Sequence, residues 1–280
     1  MPEARTEARP QLEEIARQLR RDIIRATTKA GSGHPSTSLS MVEVLTVLYF
    51  GGVLRYDPDN PHDPDRDRFI LSKGHGAPGL YAVLAEAGYF PRDDLMTLRE
   101  LGSALEGHPN MCRLAGVEAS TGSLGQGFSM GIGHALAARL DGRDYRVYCM
   151  VGDGESEQGQ VWEAAMFAGN NGLDNLTLIV DNNGYQQTDA VDNVQSLDPL
   201  EEKLSAFGLA VRRIDGHSLD EVAEAFAWAR SVKGQTQAIV ATTVKGKGVS
   251  LLEETPAKWH GKALSPDDEQ KALEEIGAGR

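Results

Sequence analysis

The second half of the chain alternates short apolar runs with amphipathic stretches, and this alternation constrains the fold more than any other feature. Nearly continuous apolar runs are typical of strands that are covered on both faces. Strands joined through helices form parallel sheets. The predicted strands are RVYCMVG, NLTLIVD, LAVRRID and QAIVATTV, and the predicted helices are VWEAAMFAGNNG, LDPLEEKLSAFG and LDEVAEAFAWARSV. We therefore predict an α/β fold, a mostly parallel sheet with helices on both faces.

The first half of the chain is predicted to be mainly helical. A helix over 11–29 is indicated by apolar residues at helical spacing, namely Leu12, Ile15, Leu19, Ile23 and Ala26. Ser36, Thr37 and Ser38 are candidate N-caps for a second helix through VEVLTVLYF. Residues 52–68 are expected to form a loop that ends in the apolar run RFILS. Shorter helices are expected at 79–88 and 93–101.

The chain shows no repeat, low-complexity tract or linker. We therefore expect residues 1–280 to form a single domain, with a polar C-terminal tail from about residue 252. A short helix is expected in this tail after Ser265 and Pro266.

The composition limits the classes of partner. The chain has 28 basic and 41 acidic residues and a formal net charge of −13, which disfavours nucleic acid and anionic membranes. A local pocket can still be positive and bind a small anion. No signal peptide and no run of roughly 18–20 apolar residues is found. Cys112 and Cys149 are too few for a disulfide framework, so a cytoplasmic protein is expected.

Polar residues flanked by glycine follow two successive predicted strands. The tripeptide GDG at 152–154 ends the first strand, and NNG at 182–184 ends the second. Successive parallel strands usually lie close together, so Asp153 and Asn183 can converge. A carboxylate and an amide oxygen suit Mg²⁺ or Ca²⁺ and leave positions for phosphate oxygens. Each motif alone is more often a turn, but the pair favours a site for a metal ion and a diphosphate.

This spacing of GDG and NN resembles the motif that thiamine diphosphate enzymes share, which implies the thiamine diphosphate-binding fold. The resemblance implies that Asp153, Asn183 and the backbone carbonyl of Tyr185 bind the metal ion, which holds the diphosphate of the cofactor. Gly152 and Gly154 are then expected beside the cofactor. Mg²⁺ is the expected ion, with Ca²⁺ or Mn²⁺ as substitutes.

Further segments resemble the transketolase family, and they occur in that family's order. They are KAGSGHPS at 29–36, SKGHGAPGLYAVL at 72–84, EGHP at 106–109, STGSLGQGFSMGIGHALA at 120–137 and WHGKAL at 259–264. Together these matches span about residues 15–270. The combination is specific, although each segment alone is weak.

The resemblance implies roles for four histidines that glycine or proline frames. His75 and His260 are expected to donate hydrogen bonds to the diphosphate, and His34 and His108 to face the hydroxyls and the oxyanion of the substrate. Because histidine moves protons near neutral pH, His34, His108 and His260 are the candidate catalytic residues. The remaining histidines are interpreted as surface or core residues: His62, His134 and His217.

The segment GSLGQGFSMGIGHALAARL at 122–140, which is predicted to be the Gly-rich start of a helix, has its own implied role. Gly122 and Leu124 are expected to bring the backbone close to the aminopyrimidine of the cofactor. A compact GxGxxG after a first strand is absent, which argues against a nicotinamide cofactor. Glu163 resembles a family glutamate at a dimer interface, and a solvated helix carboxylate is an equal alternative.

Three positions depart from the family pattern. Gln158 stands where the family often has a glutamate of a network that links two active sites, so a proton relay is not expected. Ser36 follows SGHP where glycine is common, and Asn110 follows EGHP in place of an acid. The substrate end of the pocket is therefore expected to differ.

Full-length transketolases are more than twice as long and carry a second, pyrimidine-binding domain. The resemblance implies the N-terminal, diphosphate-binding subunit of a split transketolase, which transfers a glycolaldehyde unit from a ketose or ketose phosphate to an aldose. A partner chain with the pyrimidine-binding domain and an α₂β₂ heterotetramer are expected. The alternatives are a subunit of a 1-deoxyxylulose-phosphate synthase-like enzyme or a 2-oxo-acid dehydrogenase, and a non-catalytic regulatory subunit of the same fold.

Overall fold

Five parallel strands form the centre of the structure, a computed structural model that describes residues 3–187 and 189–278. In chain order the strands are β1 (Glu3–Thr6), β2 (Gly51–Tyr56), β3 (Arg68–Leu71), β4 (Val147–Gly152), β5 (Leu176–Asn182), β6 (Ala210–Asp215) and β7 (Gln237–Thr242). The sheet has the order β3-β4-β5-β7-β6, and its neighbouring strands are parallel. β1 and β2 form a separate antiparallel pair.

Helices precede, connect and follow these strands. The α-helices are α1 (Arg9–Ala30), α2 (Pro35–Leu39), α3 (Val42–Phe50), α4 (Ala77–Ala87), α5 (Gln126–Leu140), α6 (Gly159–Asn170), α7 (Val191–Val194), α8 (Leu200–Ala206), α9 (Leu219–Ser231), α10 (Ser250–Glu254) and α11 (Pro266–Gly277). Short 3₁₀ helices span Gly74–Gly76, Arg92–Thr97, Gly154–Glu157 and Pro256–Trp259. Within the described ranges, every helix falls short of the length and hydrophobicity that a membrane-spanning helix requires.

Both faces of the sheet are covered by helices. Successive side chains of a strand point to opposite faces, and in β4 Tyr148 and Met150 pack into the core that contains α1, α3, α4 and α9. Cys149 and Val151 pack on the other face, in the core formed with α5, α6 and α8. The predicted α/β class is therefore confirmed, as is the coverage of both faces.

The sheet order contains one insertion that the sequence pattern did not reveal. β7, the last strand in the chain, lies between β5 and β6. β6 is consequently an edge strand, and its Arg212 and Arg213 reach solvent instead of a buried layer. The two adjacent arginines in LAVRRID therefore indicate an edge strand, because a central strand that is covered on both faces has no room for two charged side chains.

Three expectations for the first half of the chain were wrong. Part of the predicted loop at 52–68 is β2, which pairs with β1. Ser36, Thr37 and Ser38 do not cap the second helix, because they are buried within α2, and α3 begins after Met41 without a side-chain cap. The expected helix at 93–101 is a 3₁₀ helix over Arg92–Thr97. The pairing of β2 with β1 joins segments that are distant in sequence, which a local pattern does not reveal.

The segment after residue 252 contains a helix that packs on the body of the protein. α11 begins at Pro266, and the Ser265 hydroxyl accepts a hydrogen bond from the Asp268 backbone N–H, which makes Ser265 the N-cap. Ala272 and Ile276 of α11 are buried in the same core as α1. The expected helix is present, and its apolar side is buried.

Candidate functional site

Asp153 and Asn183 lie on adjacent loops at the carboxyl edge of the sheet. β4 and β5 are neighbours, and Gly152 pairs with Asp181 in their register. Asp153 accepts hydrogen bonds from the backbone N–H groups of Gly154 at 2.7 Å and Gly184 at 2.5 Å. The loop after β4 is thereby tied to the loop after β5, and the convergence predicted from the strand order is observed.

A single cavity at this edge brings together the residues predicted to hold the cofactor and the metal ion. Its walls include His75, Gly122, Leu124, Gly152, Asp153, Gly154, Asn183, Tyr185 and His260. A cleft beyond the carboxyl ends of parallel strands is the usual ligand site of such sheets. His34 and His108 are not among the residues that line it.

The donor atoms fit a hard cation. The Asn183 side-chain nitrogen donates to Asp181 at 3.1 Å, and its amide oxygen accepts from the Tyr185 backbone N–H at 3.1 Å, which leaves the second lone pair of that oxygen for a cation. Burial, and then the charge of Asp181, raises the pKa of Asp153 to about 6, and a cation beside it would favour its ionised form. The described residues hold no cluster of three or more His, Cys, Asp or Glu side chains for a metal ion. Ligand or water oxygens would have to complete the shell.

Asp181 is a structural residue that ties several segments together. It is almost fully buried and accepts hydrogen bonds from the hydroxyls of Ser40 at 2.7 Å and Thr243 at 2.5 Å. It also forms an ion pair with the buried Lys73. Burial opposes its ionisation, but Lys73 outweighs that effect, so the pKa of Asp181 is lowered.

Three of the four candidate histidines form one cluster. The ring centroid of His34 lies 5.3 Å from that of His75 and 5.1 Å from that of His260, and His75 and His260 are 5.5 Å apart. The ring of His108 lies against Gly122, where an added Cβ would be 2.9 Å from it. His75 and His260 therefore line the cavity, and His34 and His108 lie next to residues that line it.

The clustered histidines are neutral at neutral pH. Burial, and then the charge of His260, lowers the pKa of His34 to about 3. Burial, and then Lys245, lowers the pKa of His260 to about 4. Burial and Lys73 also lower the pKa of His75 well below its usual value. Each neutral imidazole offers one hydrogen-bond donor and one acceptor.

Two buried lysines in the cavity wall were missed by sequence reasoning. Lys73 follows β3 and Lys245 follows β7, and both are almost fully buried. The Lys245 ammonium lies 3.1 Å from His260 Nδ1 and 3.2 Å from the Gln186 carbonyl. Burial lowers the pKa of Lys245 to about 8, although Asp153 opposes this shift. The sequence signal that could have identified both lysines is their position just after strand ends.

Glu155 was also missed, and it connects three segments around the cavity. It accepts hydrogen bonds from the Ser72 hydroxyl at 2.5 Å and from the backbone N–H groups of Gly125 at 2.9 Å and Gly152 at 3.1 Å. Burial raises the pKa of this carboxyl group. Its role is to fix the Gly-rich loop against the end of β4.

The three departures from the family pattern lie in different places. Gln158 lines the cavity. The buried Ser36 donates its hydroxyl to the Trp259 carbonyl at 3.2 Å, just before His260. The Asn110 side-chain oxygen accepts from the backbone N–H of Cys112 at 3.0 Å in the loop after His108, and Cys112 is exposed.

A positively charged residue flanks His34 and His108. Arg99 has φ of 62°, which is strained for an arginine. Its guanidinium donates to the Ser32 hydroxyl at 2.7 Å, while its buried Nε has no hydrogen-bond partner. Arg99 therefore adds positive charge beside the two histidines, whose pKa it lowers after the larger effect of burial.

The fold and the cavity define an α/β protein with a polar pocket, lined by two buried lysines and several carboxylates, at the carboxyl edge of its sheet. The sequence profile of the family described as "Transketolase, thiamine diphosphate binding domain" matches residues 11–279. The chain belongs to the transketolase family, which confirms the resemblance found in the sequence.

The chain resembles two groups of relatives, proteins of about its own length and proteins that are more than twice as long. It is 44% identical over 265 residues to the 6-deoxy-6-sulfo-D-fructose transketolase subunit SqwG of Clostridium sp. (strain MSTE9), covering 95% of this chain and 96% of that protein. An apulose-4-phosphate transketolase subunit of Actinobacillus succinogenes is 41% identical over 268 residues, with the same coverage of both chains. The transketolase of Rattus norvegicus is 44% identical over 266 residues, but the match spans only 42% of it.

Solved structures agree with this relationship. The transketolase of Campylobacter jejuni superposes with a TM-score of 0.90 at 33% identity, over 97% of this chain and 43% of that one. The transketolase from Leishmania mexicana gives a TM-score of 0.88 at 32% identity, over 95% and 41% of the two chains. The chain thus spans less than half the length of these solved relatives.

Replacing Asp181 should destabilise the protein strongly. In Asp181→Asn the Lys73 ammonium stays buried without its counter-charge, which costs about 3–5 kcal/mol in comparable cases. Urea unfolding measures the change. The double variant Lys73→Met, Asp181→Asn removes the unpaired charge and should recover more than half of the loss. A loss below about 1 kcal/mol for Asp181→Asn would contradict this assignment.

The stability of the protein should fall as the pH is lowered from 7 towards 4. Unfolding returns His34 and His260 to an ordinary pKa of 6.5, so the unfolded chain binds more protons in this window. Each group contributes less than about 1.4 kcal/mol per pH unit. His260→Gln should flatten the profile measured by urea unfolding, and the exposed His62→Gln serves as control. Equal slopes for both variants would rule out this contribution.

Proposed function

We propose that this chain is the diphosphate-binding subunit of a transketolase that works with a second polypeptide. It would bind thiamine diphosphate through Mg²⁺ and transfer a glycolaldehyde unit from a ketose to an aldose acceptor. The observation that carries the proposal is the shared cavity of Asp153, Asn183 and two buried lysines at the carboxyl edge of the sheet.

The charges around the cavity support a diphosphate ligand. Asp153, Asn183 and the Tyr185 carbonyl would hold Mg²⁺, and the ion would bind the phosphate oxygens. The Lys245 ammonium and a donated hydrogen of His75 or His260 would meet the remaining negative charge. Gly122 and Leu124 would bring backbone groups close to the rest of the cofactor.

The chemistry of the reaction divides between cofactor and protein. When bound, the cofactor supplies the carbon nucleophile and the electron sink needed to break a carbon–carbon bond next to a carbonyl. His34 and His260 would orient the carbonyl group, and His34 and His108 would exchange protons with substrate oxygens. The neutral state of His34 and His260 at pH 7 lets each imidazole act as a donor or as an acceptor.

We propose a ketose with a terminal anionic group as the donor substrate. Two relatives that the chain matches over almost their whole length are named for such sugars, a 6-deoxy-6-sulfofructose and an apulose 4-phosphate. Arg99 supports this class, because its positive charge lies beside His34 and His108 and its buried Nε lacks a hydrogen-bond partner. The anionic end of the donor would lie on the same side of the pocket.

A partner that supplies the pyrimidine-binding domain is part of the proposal. Relatives named as subunits have the length of this chain, whereas single-chain transketolases extend far beyond the match. Leu124, at the cavity, and Met130, Met166 and Phe167, on α5 and α6, are large apolar side chains that are at least 38% exposed. Such a surface favours a buried interface in an assembly, for which we propose an α₂β₂ heterotetramer.

Loss of the Asp153 carboxylate should abolish tight cofactor binding. Calorimetry with thiamine diphosphate and Mg²⁺, with the partner present, should show affinity reduced more than about tenfold in Asp153→Ala, since even residues that only orient metal ligands contribute that much. Asp267→Ala on the exposed start of α11 is the matched control. Unchanged affinity in Asp153→Ala would refute the site.

The proposed substrate class predicts a ranking of donors. With an aldose phosphate acceptor, the assembled enzyme should use fructose 6-phosphate or 6-deoxy-6-sulfofructose much better than uncharged fructose. Arg99→Gln should reduce this preference. The purified chain alone should show no turnover. Activity with pyruvate in place of the ketoses would favour a 1-deoxyxylulose-phosphate synthase-like enzyme or a 2-oxo-acid dehydrogenase, and binding without any turnover would favour a regulatory role.

A further inference from the structure

The segment 244–248, which follows β7, carries Lys245, one of the two buried lysines of the cavity. Its Lys245 is 1% exposed and reaches His260 Nδ1 at 3.1 Å and the Gln186 carbonyl at 3.2 Å. On the side of α2, the Gly246 backbone N–H donates to the Ser36 carbonyl at 2.8 Å. The place of the ammonium therefore depends on the backbone of this segment.

Two side chains hold the same backbone on either side of Lys245. The Val244 N–H donates to His217 Nε2 at 2.8 Å. The Arg20 Nε donates to the Lys247 carbonyl at 3.1 Å. His217 follows β6 and Arg20 lies on α1, so two distant parts of the chain fix one short segment.

Both side chains converge on one buried carboxylate, Glu43 of α3. Arg20 Nη2 lies 2.6 Å from Glu43 Oε1, and His217 Nδ1 lies 2.9 Å from Oε2. Because Nε2 of His217 accepts the Val244 N–H, the ring proton is on Nδ1 and is donated to Glu43. Burial opposes ionisation of Glu43, but Arg20 and then His217 outweigh it, so its pKa is lowered.

This triad of Arg20, Glu43 and His217 is separate from the cofactor cavity. It lines a surface groove with Arg17 and Lys247, and the groove and the cavity have no lining residue in common. None of the three side chains is therefore expected to touch cofactor or substrate. Any effect on the cavity has to pass through the 244–248 backbone.

We propose that Arg20, Glu43 and His217 are positioning residues that fix the backbone on both sides of Lys245 and so place its ammonium against the diphosphate of the cofactor. This inference rests on the proposed function. It gives His217, interpreted from sequence as a surface or core residue, an indirect part in binding. A triad with only a structural role would contribute to stability and not to the action of Lys245.

The first test concerns the segment itself and needs no cofactor. Hydrogen exchange of the peptide that contains Val244 should be at least about tenfold faster in Glu43→Gln and in His217→Asn than in the wild type. Glu13→Gln is the matched control, because Glu13 lines the same groove but pairs with Arg9. Unchanged exchange in both triad variants would overturn the proposal.

The second test measures coupling to Lys245. Calorimetry with thiamine diphosphate and Mg²⁺, on the chain assembled with its partner, should show about 10- to 100-fold weaker binding for Glu43→Gln, as when ligand-orienting residues are lost. Lys245→Met should weaken binding at least as much. The double variant should resemble Lys245→Met alone, since the triad acts through that residue. Full additivity of the two losses would overturn the proposal.

A third variant covers the case in which Glu43→Gln does not fold. Arg20→Lys keeps a positive charge beside Glu43 but removes the hydrogen bond to the Lys247 carbonyl. It should weaken cofactor binding in the wild-type background and should cause no further loss of affinity when it is combined with Lys245→Met. Failure of the wild-type assembly to bind the cofactor would refute the proposed function as well. Normal wild-type binding with additive losses would refute the positioning role alone.

Discussion

The ion pair between Lys73 and Asp181 is the interaction on which the candidate site depends. Buried charges are costly unless they are paired and hydrogen-bonded. Asp181 meets this condition with Lys73, two hydroxyls and the Asn183 amide. These contacts join the ends of α2, β3, β5 and β7 at one edge of the sheet. They also occupy the Asn183 nitrogen, so that its oxygen is the candidate cation ligand of this side chain.

Part of the candidate site could be predicted from local sequence. Asp153 and Asn183 stand beside glycines after neighbouring strands, whereas the expected roles of His34, His75, His108 and His260 came from the resemblance to the family. Lys73 and Lys245 also follow strand ends, but nothing in the local sequence marks them as buried. A lysine next to a strand is usually a surface residue, and only the tertiary structure shows that these two are buried.

The fold could be predicted from sequence where the hydrophobic periodicity of a segment determines its structure. It could not be predicted where two segments that are distant in sequence pair with each other. The alternation of β4 to β7 with helices identified a covered parallel sheet. The position of β7 between β5 and β6 depends on long-range pairing, and so does the pairing of β2 with β1. The net charge of −13 likewise gives no indication of a cavity with two buried lysines, because a net charge does not show where the individual charges lie.

The chemistry of the two thiols has a practical consequence. Cys149 is buried in β4, where burial raises its pKa well above the usual value, so it is unreactive at neutral pH. Cys112 is exposed in the loop after His108. A maleimide dye will therefore attach at one known place, the exposed Cys112 thiol in the loop after His108. Fluorescence from such a label can follow docking of other molecules without any engineered cysteine.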